Sequence, residues 1–213
     1  ARVTAALGEH PGIVPVTDAG VLPDGRAYFV MKFVAGRTFA ARLAEPDRAF
    51  AADADLRVVE RAARIAGYAH THPRGGLVHR DLKPSNVLLS TFDEVFVADW
   101  GLSKWYAPAG GSDGPAGGVT TAGHGTWAYM PPEQAAPGPG RPIGAASDVF
   151  ALGGVLAEVL TGQPTYTADA PAKVVARAKA ADLGETHARL AAAPAAPELV
   201  KLCRACLAPD PAD

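Results

Sequence analysis

The stretch His79-Arg80-Asp81-Leu82-Lys83-Pro84-Ser85-Asn86 decides the fold of this 213-residue chain. Strand-prone runs flank it, and a second acidic turn, Asp99-Trp100-Gly101, begins 13 residues after Asn86. Asp81, Asn86 and Asp99 therefore belong to one hairpin-like loop and to the turn after the next strand, where they can converge. The oxygen atoms of Asn86 and Asp99 are hard ligands, the kind that suits Mg²⁺.

The composition excludes several classes of protein. With 48% hydrophobic and 20% charged residues, the chain can form one substantial domain, or one domain of two lobes, and is too apolar to be disordered. The formal net charge of -2 predicts no nucleic-acid partner, because no basic field is available. The longest apolar stretch, Phe150 to Leu160, is too short to span a bilayer. We therefore expect a cytoplasmic domain without a membrane segment, in a parent protein that could be anchored elsewhere.

The two cysteines, Cys203 and Cys206, cannot build a disulfide framework. One Cys-x-x-Cys pair also supplies only two of the four ligands of a structural zinc. We expect both cysteines to lie in a short helix near the end of the chain and to pack in the protein core.

Two further motifs follow in order: Gly125-Thr126-Trp127-Ala128-Tyr129-Met130-Pro131-Pro132-Glu133, then Ser147-Asp148-Val149-Phe150. Together the four motifs resemble the C-terminal lobe of the protein kinases, over nearly all of the chain. Lys-Pro-Ser after Asp81 resembles the serine/threonine branch of the family. The Trp after Asp99 and the Met-Pro-Pro-Glu-Gln run from Met130 are similar to bacterial eukaryotic-like serine/threonine kinases. The resemblance implies an α+β, protein-kinase-like fold. Residues 36–213 would form a mainly helical C-lobe, and residues 1–35 a remnant of the β-rich N-lobe with the hinge.

The resemblance implies phosphoryl transfer from ATP, with Mg²⁺, to Ser or Thr hydroxyls of protein substrates. Asp81 would accept the proton of the substrate hydroxyl. Lys83 would reach the γ-phosphate of ATP as a point charge, and Thr126 would hydrogen-bond to Asp81 and Lys83. Asn86 and Asp99 would bind both the metal ion and the nucleotide.

The resemblance also implies an adenine site at the hinge. Met31 corresponds to the gatekeeper, and the backbone C=O of Lys32 and N–H of Val34 would hold the adenine ring. Leu88 would pack against that ring from below. Lys32 departs from the acidic residue often found at its position, but backbone contacts tolerate this change.

Two residues of these motifs have expected structural roles. His79 is expected to pack against Trp100 rather than to act as a base. Asp148 is expected to cap the N-terminus of a buried helix and, by resemblance, to hold the backbone of the His79-Arg80 turn.

Arg80 precedes the catalytic carboxylate, and in the family this arrangement accompanies control by phosphorylation, because a guanidinium pairs bidentately with phosphate. The hypothesis is that Thr120 or Thr121 is modified and that its phosphate pairs with Arg80. By resemblance, two copies of the domain could also dimerise for autophosphorylation. The alternative is a passive flap over residues 107–125, since seven glycines in this stretch make ordering entropically costly.

Local patterns predict a few of the remaining elements. A hairpin should join strands at 13–16 and 28–31 through Leu22-Pro23-Asp24-Gly25. Helices are expected at 55–69, 150–160 and 199–207, and residues 1–10 look helical. Short strands are expected at 77–78, 87–89 and 95–97.

Several elements that the resemblance implies do not occur in this sequence: the Gly-rich phosphate loop, a strand Lys, the helix Glu that pairs with it, and an Arg partner for Glu133. The expectation is therefore a fragment of a kinase domain, poorly stable alone and catalytically silent. A second hypothesis is a pseudokinase that senses nucleotide or scaffolds partners. A third is a small-molecule phosphotransferase of related fold, against which Lys83-Pro84 and the segment from Gly125 to Glu133 argue.

Overall fold

The structure is a computed structural model that describes residues 7, 10–47, 53–73, 75–106 and 126–210. Within these ranges the strands form three antiparallel sheets. They are a hairpin of β1 (Val16–Val21) and β2 (Ala27–Met31), a sheet in the order β3 (Gly36–Thr38), β5 (Val87–Ser90), β6 (Val95–Val97), and a pair of β4 (Gly76–Val78) with β7 (Lys104–Tyr106).

Helices dominate the second half of the described chain. The α-helices are α1 (Phe39–Leu43), α2 (Asp53–His70), α3 (Pro132–Ala135), α4 (Ala145–Thr161), α5 (Pro171–Ala180), α6 (Gly184–Ala192) and α7 (Pro197–Cys206), and short 3₁₀ turns cover Pro84–Asn86, Trp100–Leu102 and Trp127–Tyr129. Within the described ranges, no helix combines the length and the apolar character that a bilayer crossing needs.

The predicted N-terminal hairpin is confirmed, although its first strand begins later than expected. The turn closes through a hydrogen bond from the Gly25 N–H to the Leu22 carbonyl at 2.9 Å, and Gly25 has the left-handed φ of 87° that its turn position requires. Ile13 instead forms a parallel bridge with Val97 of β6. Pro15 has no N–H to donate to a ladder, so the hairpin starts after it.

The long helix α4 is the centre of the fold, as its nearly continuous apolar sequence predicted. It buries 12 of its 17 residues and lies between the two larger apolar clusters of the interior. One side contributes Val155 and Val159 to a cluster shared with α2 and β4. The other side contributes Phe150 and Leu160 to a cluster shared with α5, α6 and α7.

Most other predicted elements are confirmed, with small shifts of their ends. Helix α2, helix α7 and strands β4, β5 and β6 lie where the local patterns indicated. The sequence patterns did not reveal α1, α3, α5, α6, β3 or β7, which are short or rich in alanine. Residues 1–6, 8–9 and 107–125, including the helix and flap expected there, lie outside the described residues.

The contact between α4 and α7 depends on the absence of a side chain at Gly153. A Cβ added there would lie 2.7 Å from Cys206 Cβ and 3.2 Å from the Cys206 carbonyl carbon. We expect Gly153→Ala to lower the free energy of unfolding by about 1–2 kcal/mol, because overpacking outweighs the better helix propensity of alanine. Urea denaturation measures this difference.

Gly67 in α2 provides the matched control. A Cβ at Gly67 meets no atom within 4 Å, so Gly67→Ala should raise the free energy of unfolding by about 0.5–1 kcal/mol. A Gly153→Ala protein as stable as the Gly67→Ala protein would contradict the tight packing of α7 on α4.

Candidate active site

His79 follows the buried strand β4 and orders the loop after it. Its side chain is fully buried, and its ring centroid lies 4.6 Å from that of Trp100. The Asp81 N–H donates to His79 Nδ1 at 3.2 Å, so His79 Nε2 is left to donate to the Ala98 carbonyl at 3.0 Å. Burial lowers the pKa of His79, which favours this neutral ring. The expected structural role of His79 is confirmed.

Asp148 anchors the same loop from the core. Its carboxylate is buried and accepts hydrogen bonds from the His79 N–H (2.8 Å), the Arg80 N–H (2.8 Å) and His70 Nε2 (2.7 Å). Arg80 has a φ of 71°, a left-handed conformation that is strained for a residue with a Cβ. The expected hold on the His79-Arg80 turn is therefore confirmed.

The prediction that Asp148 caps the helix was wrong. Helix α4 begins after Gly144, and the Gly144 N–H donates to Ser147 Oγ at 3.2 Å. Asp148 follows Ser147 in the first turn of α4. Both of its carboxylate oxygens accept hydrogen bonds from N–H groups of the loop after β4. An acidic residue near a helix start resembles a cap in sequence, but here the long-range donors determine its contacts.

Three polar side chains surround the buried carboxylate of Asp81. Lys83 Nζ donates to Asp81 Oδ2 and to Thr126 Oγ1, both at 2.8 Å. Asn86 Nδ2 donates to Asp81 Oδ2 at 3.0 Å and to the Asp81 carbonyl at 2.8 Å. Asp81, Asn86 and Thr126 are each less than one-tenth exposed. Residues separated by more than 40 positions in the chain thus form one polar cluster around Asp81.

A backbone hydrogen bond at the preceding residue places Asp99 next to this cluster. The N–H of Ala98 donates to the Asn86 carbonyl at 2.9 Å, so Asp99 follows a residue bound to the loop of Asp81. Asp99 has a φ of 61° and an exposed side chain. The carboxylate of Asp99 is therefore accessible to a ligand, whereas that of Asp81 is enclosed.

Of the residues expected at the adenine site, Met31 and Leu88 lie on strands β2 and β5, whereas Lys32 and Val34 lie in the segment between β2 and β3. Val34 and Leu88 pack against a small cluster of Val14, Phe96 and Ala98. Met31 ends β2 and is about half exposed. Lys32 Nζ lies 4.7 Å from the centroid of the Phe96 ring.

Arg80 combines partial burial with an incompletely paired guanidinium. Among the described residues its Nε is buried and has no hydrogen-bond partner. Desolvation lowers the pKa of Arg80, against the attraction of Asp148. Thr120 and Thr121, its expected phosphorylated partners, lie outside the described residues.

Sequence reasoning missed two residues that contact this loop. His70, at the end of α2, binds Asp148, and Gln134 of α3 donates from Nε2 to the Arg80 carbonyl at 2.8 Å. No local pattern marks His70, since its partner is 78 positions away. Gln134 directly follows the Pro-Pro-Glu motif, which is the only signal that could have singled it out.

Cys203 packs in the core as expected, whereas Cys206 is only partly buried, and neither contacts this site. Cys203 and Cys206 are free thiols, and Cys203 Sγ donates to the Gly153 carbonyl at 3.4 Å. Burial raises the pKa of Cys203 to about 12. A thiol of this kind is unreactive at neutral pH.

Comparisons with known proteins agree on one family. The protein kinase domain family matches residues 2–213. The chain is 36% identical over 173 residues to serine/threonine-protein kinase PknB of Mycolicibacterium smegmatis, covering 80% of this chain and 26% of that protein. It is 35% identical over 218 residues to serine/threonine-protein kinase PknL of Mycobacterium tuberculosis, covering 100% of this chain and 49% of that protein.

The fold has a solved counterpart as well. The twitchin kinase region from C. elegans superposes with a TM-score of 0.74 at 20% identity, covering 99% of this chain and 34% of that one. This likeness concerns the fold alone. The chain spans about a quarter of the length of its PknB relative and about half of its PknL relative.

Removing the Asp148 carboxylate should destabilise the protein strongly. In Asp148→Ala the His79 and Arg80 N–H groups lose their acceptor, and each unsatisfied buried donor costs about 1–3 kcal/mol. We expect the free energy of unfolding to fall by about 3 kcal/mol in urea denaturation.

Asp169→Ala is the control for this experiment, because Asp169 is exposed and its ion pair with Lys173 is exposed as well. Its effect should stay within about 0.5 kcal/mol. An equal, small effect of both substitutions would show that Asp148 does not hold the loop.

Proposed function

Because the chain belongs to the protein kinase domain family, we propose that the protein transfers the γ-phosphoryl group of ATP to Ser or Thr hydroxyls of proteins. Membership of this family confirms the recognition made from the four motifs, and the twitchin likeness confirms the kinase-like fold. The observation that carries the proposal is the polar cluster of Lys83, Asn86 and Thr126 around the buried carboxylate of Asp81.

Asp81 is the proposed proton acceptor. Its Oδ2 is committed to Lys83 and Asn86, and its Oδ1 has no partner among the described residues. The substrate hydroxyl oxygen bonds to the γ-phosphorus, the bond from that phosphorus to the β–γ bridging oxygen breaks, and the hydroxyl proton passes to Asp81. A positioned base of this type contributes roughly 10²–10⁴-fold to the rate.

Lys83 and Thr126 have the proposed role of holding the reacting groups. The Lys83 ammonium lies between Asp81 and Thr126 and keeps both in fixed positions. As a cation it also offsets the charge that develops on the phosphate oxygens. Positioning and charge are the main requirements of phosphoryl transfer, which needs little covalent chemistry from the protein.

Asn86 and Asp99 are the proposed ligands of Mg²⁺. Hydrogen bonds to Asp81 occupy the amide nitrogen of Asn86, so its oxygen is the atom suited to a cation. The described residues hold no group of three or more His, Cys, Asp or Glu side chains that could bind a metal by themselves. One carboxylate and one amide fit Mg²⁺, which completes its ligands with water and substrate phosphates. When bound, the ion supplies positive charge beside the transferring phosphate.

The proposed adenine site is the apolar surface beside Asp99. Val34 and Leu88 pack on the cluster that includes Ala98, the residue directly before Asp99. This continuity between an apolar surface and an acidic turn fits a nucleotide, whose base has apolar ring faces and whose phosphates need a cation. In the proposal, Met31 lies at the back of the site and the backbone of Lys32 and Val34 binds the adenine edge.

The proposed substrates are proteins, and the proposed compartment is the cytoplasm, where ATP is available. The alternative is a kinase-like module that senses nucleotide or scaffolds partners without transferring phosphate. The intact set of Asp81, Asn86 and Asp99 favours the enzyme, because a scaffold does not need all three.

The central test is the substitution Asp81→Asn in the protein produced from its complete coding sequence. We expect phosphoryl transfer to a generic protein acceptor to fall by at least about a hundredfold, since the amide cannot take the proton. ATP binding, measured by calorimetry in the presence of Mg²⁺, should stay largely intact.

Asp169→Asn, at an exposed position, serves as the matched control and should transfer phosphate like the unmodified protein. If the unmodified protein binds ATP but transfers no phosphate, the scaffold alternative replaces the enzyme. If Asp81→Asn retains full activity, Asp81 is not the base.

We also propose that phosphorylation of Thr120 or Thr121 activates the enzyme through Arg80, by the action of a second copy of the domain. The support is the partial burial of the Arg80 guanidinium, whose desolvation lowers the pKa of this group. A phosphate would provide acceptors for this guanidinium and offset its desolvation.

This proposal is tested on active full-length protein by phosphopeptide mapping. We expect phosphate on Thr120 or Thr121, and we expect the double substitution Thr120→Ala, Thr121→Ala to lower activity on the order of tenfold or more. Thr91→Ala, at an exposed turn position, is the control and should leave activity unchanged. Active protein without phosphate at either threonine would refute the proposal and favour a passive flap.

A further inference from the structure

Two side chains from other elements form hydrogen bonds with the backbone of Arg80. Only one of them, Asp148, has a role that the sequence motifs implied. Asp148 binds the Arg80 N–H, whereas Gln134 Nε2 donates to the Arg80 carbonyl at 2.8 Å. That carbonyl belongs to the peptide bond that leads into Asp81. The amide of Gln134 therefore restrains the backbone from which the Asp81 carboxylate projects.

Gln134 also has a second polar atom next to the same loop. It is 7% exposed, and its Oε1 is buried without a hydrogen-bond partner among the described residues. Two other buried atoms share this condition nearby: Asp81 Oδ1 and Arg80 Nε. Buried polar atoms without partners are rare, because each costs free energy.

Arg80, Asp81 and Gln134 line one small cavity, together with Thr126, Tyr129 and Ser147. Its volume of about 10 Å³ is close to the minimum that one water molecule requires. The unpaired atoms match the hydrogen-bonding capacity of a water: two acceptors, Asp81 Oδ1 and Gln134 Oε1, and one donor, Arg80 Nε. Buried waters typically make about three such bonds.

We propose that Gln134 is a positioning residue for Asp81, acting directly through the Arg80 carbonyl and indirectly through one water bound in this cavity. The water donates to Asp81 Oδ1 and Gln134 Oε1 and accepts from Arg80 Nε. Asp81 Oδ1 has a second lone pair for the substrate hydroxyl. This inference rests on the proposed kinase activity for its kinetic consequences, but not for its structural ones.

The kinetic test compares Gln134→Met with the unmodified full-length protein. Methionine keeps the length and apolar contacts of the side chain and removes both hydrogen-bonding atoms. We expect kcat to fall on the order of ten- to a hundredfold, since small displacements of a catalytic group have effects of this size. The KM for ATP should change less than about twofold, because the nucleotide contacts are elsewhere.

The folded fraction separates positioning from a loss of folded protein. We expect the fall in kcat of Gln134→Met to remain after kcat is corrected for the folded fraction, which circular dichroism measures. A fall in kcat that is matched by a smaller folded fraction would overturn the proposal.

Gln163→Met is the matched control, because Gln163 is an exposed glutamine beyond the end of α4 and should leave kcat unchanged. If Gln134→Met does not fold, Gln134→Asn is tested in the same way, and it should lose part of kcat because its amide falls short of the Arg80 carbonyl. Wild-type kcat in the folded Gln134 variant would refute the positioning role.

Two measurements do not depend on activity, so they separate this proposal from the failure of the proposed function. Hydrogen exchange at the Arg80 and Asp81 amides should be at least about threefold faster in Gln134→Met, because the turn opens more often. A crystal structure should contain a water within about 3.2 Å of Asp81 Oδ1 and Gln134 Oε1. Unchanged exchange or an empty cavity would overturn the inference even if the protein is an active kinase.

Discussion

The buried carboxylate of Asp148 is the interaction on which the candidate site depends. Removing a carboxylate from water costs several kcal/mol, and Asp148 offsets this cost by accepting from two backbone N–H groups and from His70. These bonds hold Arg80 in a left-handed conformation that its own side chain disfavours. Because Asp148 lies in the first turn of α4, the burial of that helix is coupled to the shape of the loop that carries Asp81.

The loop that carries Asp81 is therefore fixed to the core by several contacts. His79 packs on Trp100 and joins the loop to Ala98, the residue between β6 and Asp99, through its bond to the Ala98 carbonyl. Asn86 makes a second connection to the same residue through the Ala98 N–H. Two independent contacts thus set the position of Asp99 relative to Asp81. A site assembled in this way needs little reorganisation when a ligand binds, which is the property that electrostatic catalysis requires.

Sequence patterns identified the elements whose apolar residues follow a clear period or form a long run. Helices α2 and α4 and the hairpin of β1 and β2 were predictable for this reason. The start of β1 was misplaced because the apolar residue Ile13 does not pair with β2 but forms a bridge with Val97. Asp148 was misassigned as a cap because an acidic residue in a first helical turn has the same sequence signature in both roles. The partners of His70 and Gln134 are 78 and 54 positions away, beyond the range of any local pattern.

The sequence by itself indicated the chemistry that we propose for this protein: the order and spacing of the motifs, the candidate oxygen ligands at Asn86 and Asp99, the candidate acceptor at Asp81, and the family that these residues resemble. The tertiary structure alone decided which atoms meet. It assigned Asp148 to the loop after β4, brought Thr126 to Lys83, and left a small cavity beside Asp81. The physical reason is the distance along the chain over which each kind of interaction acts. Residue type and local propensity act over a few positions, whereas the hydrogen bonds of buried polar groups are made across the chain, between elements that only the packing around α4 brings together.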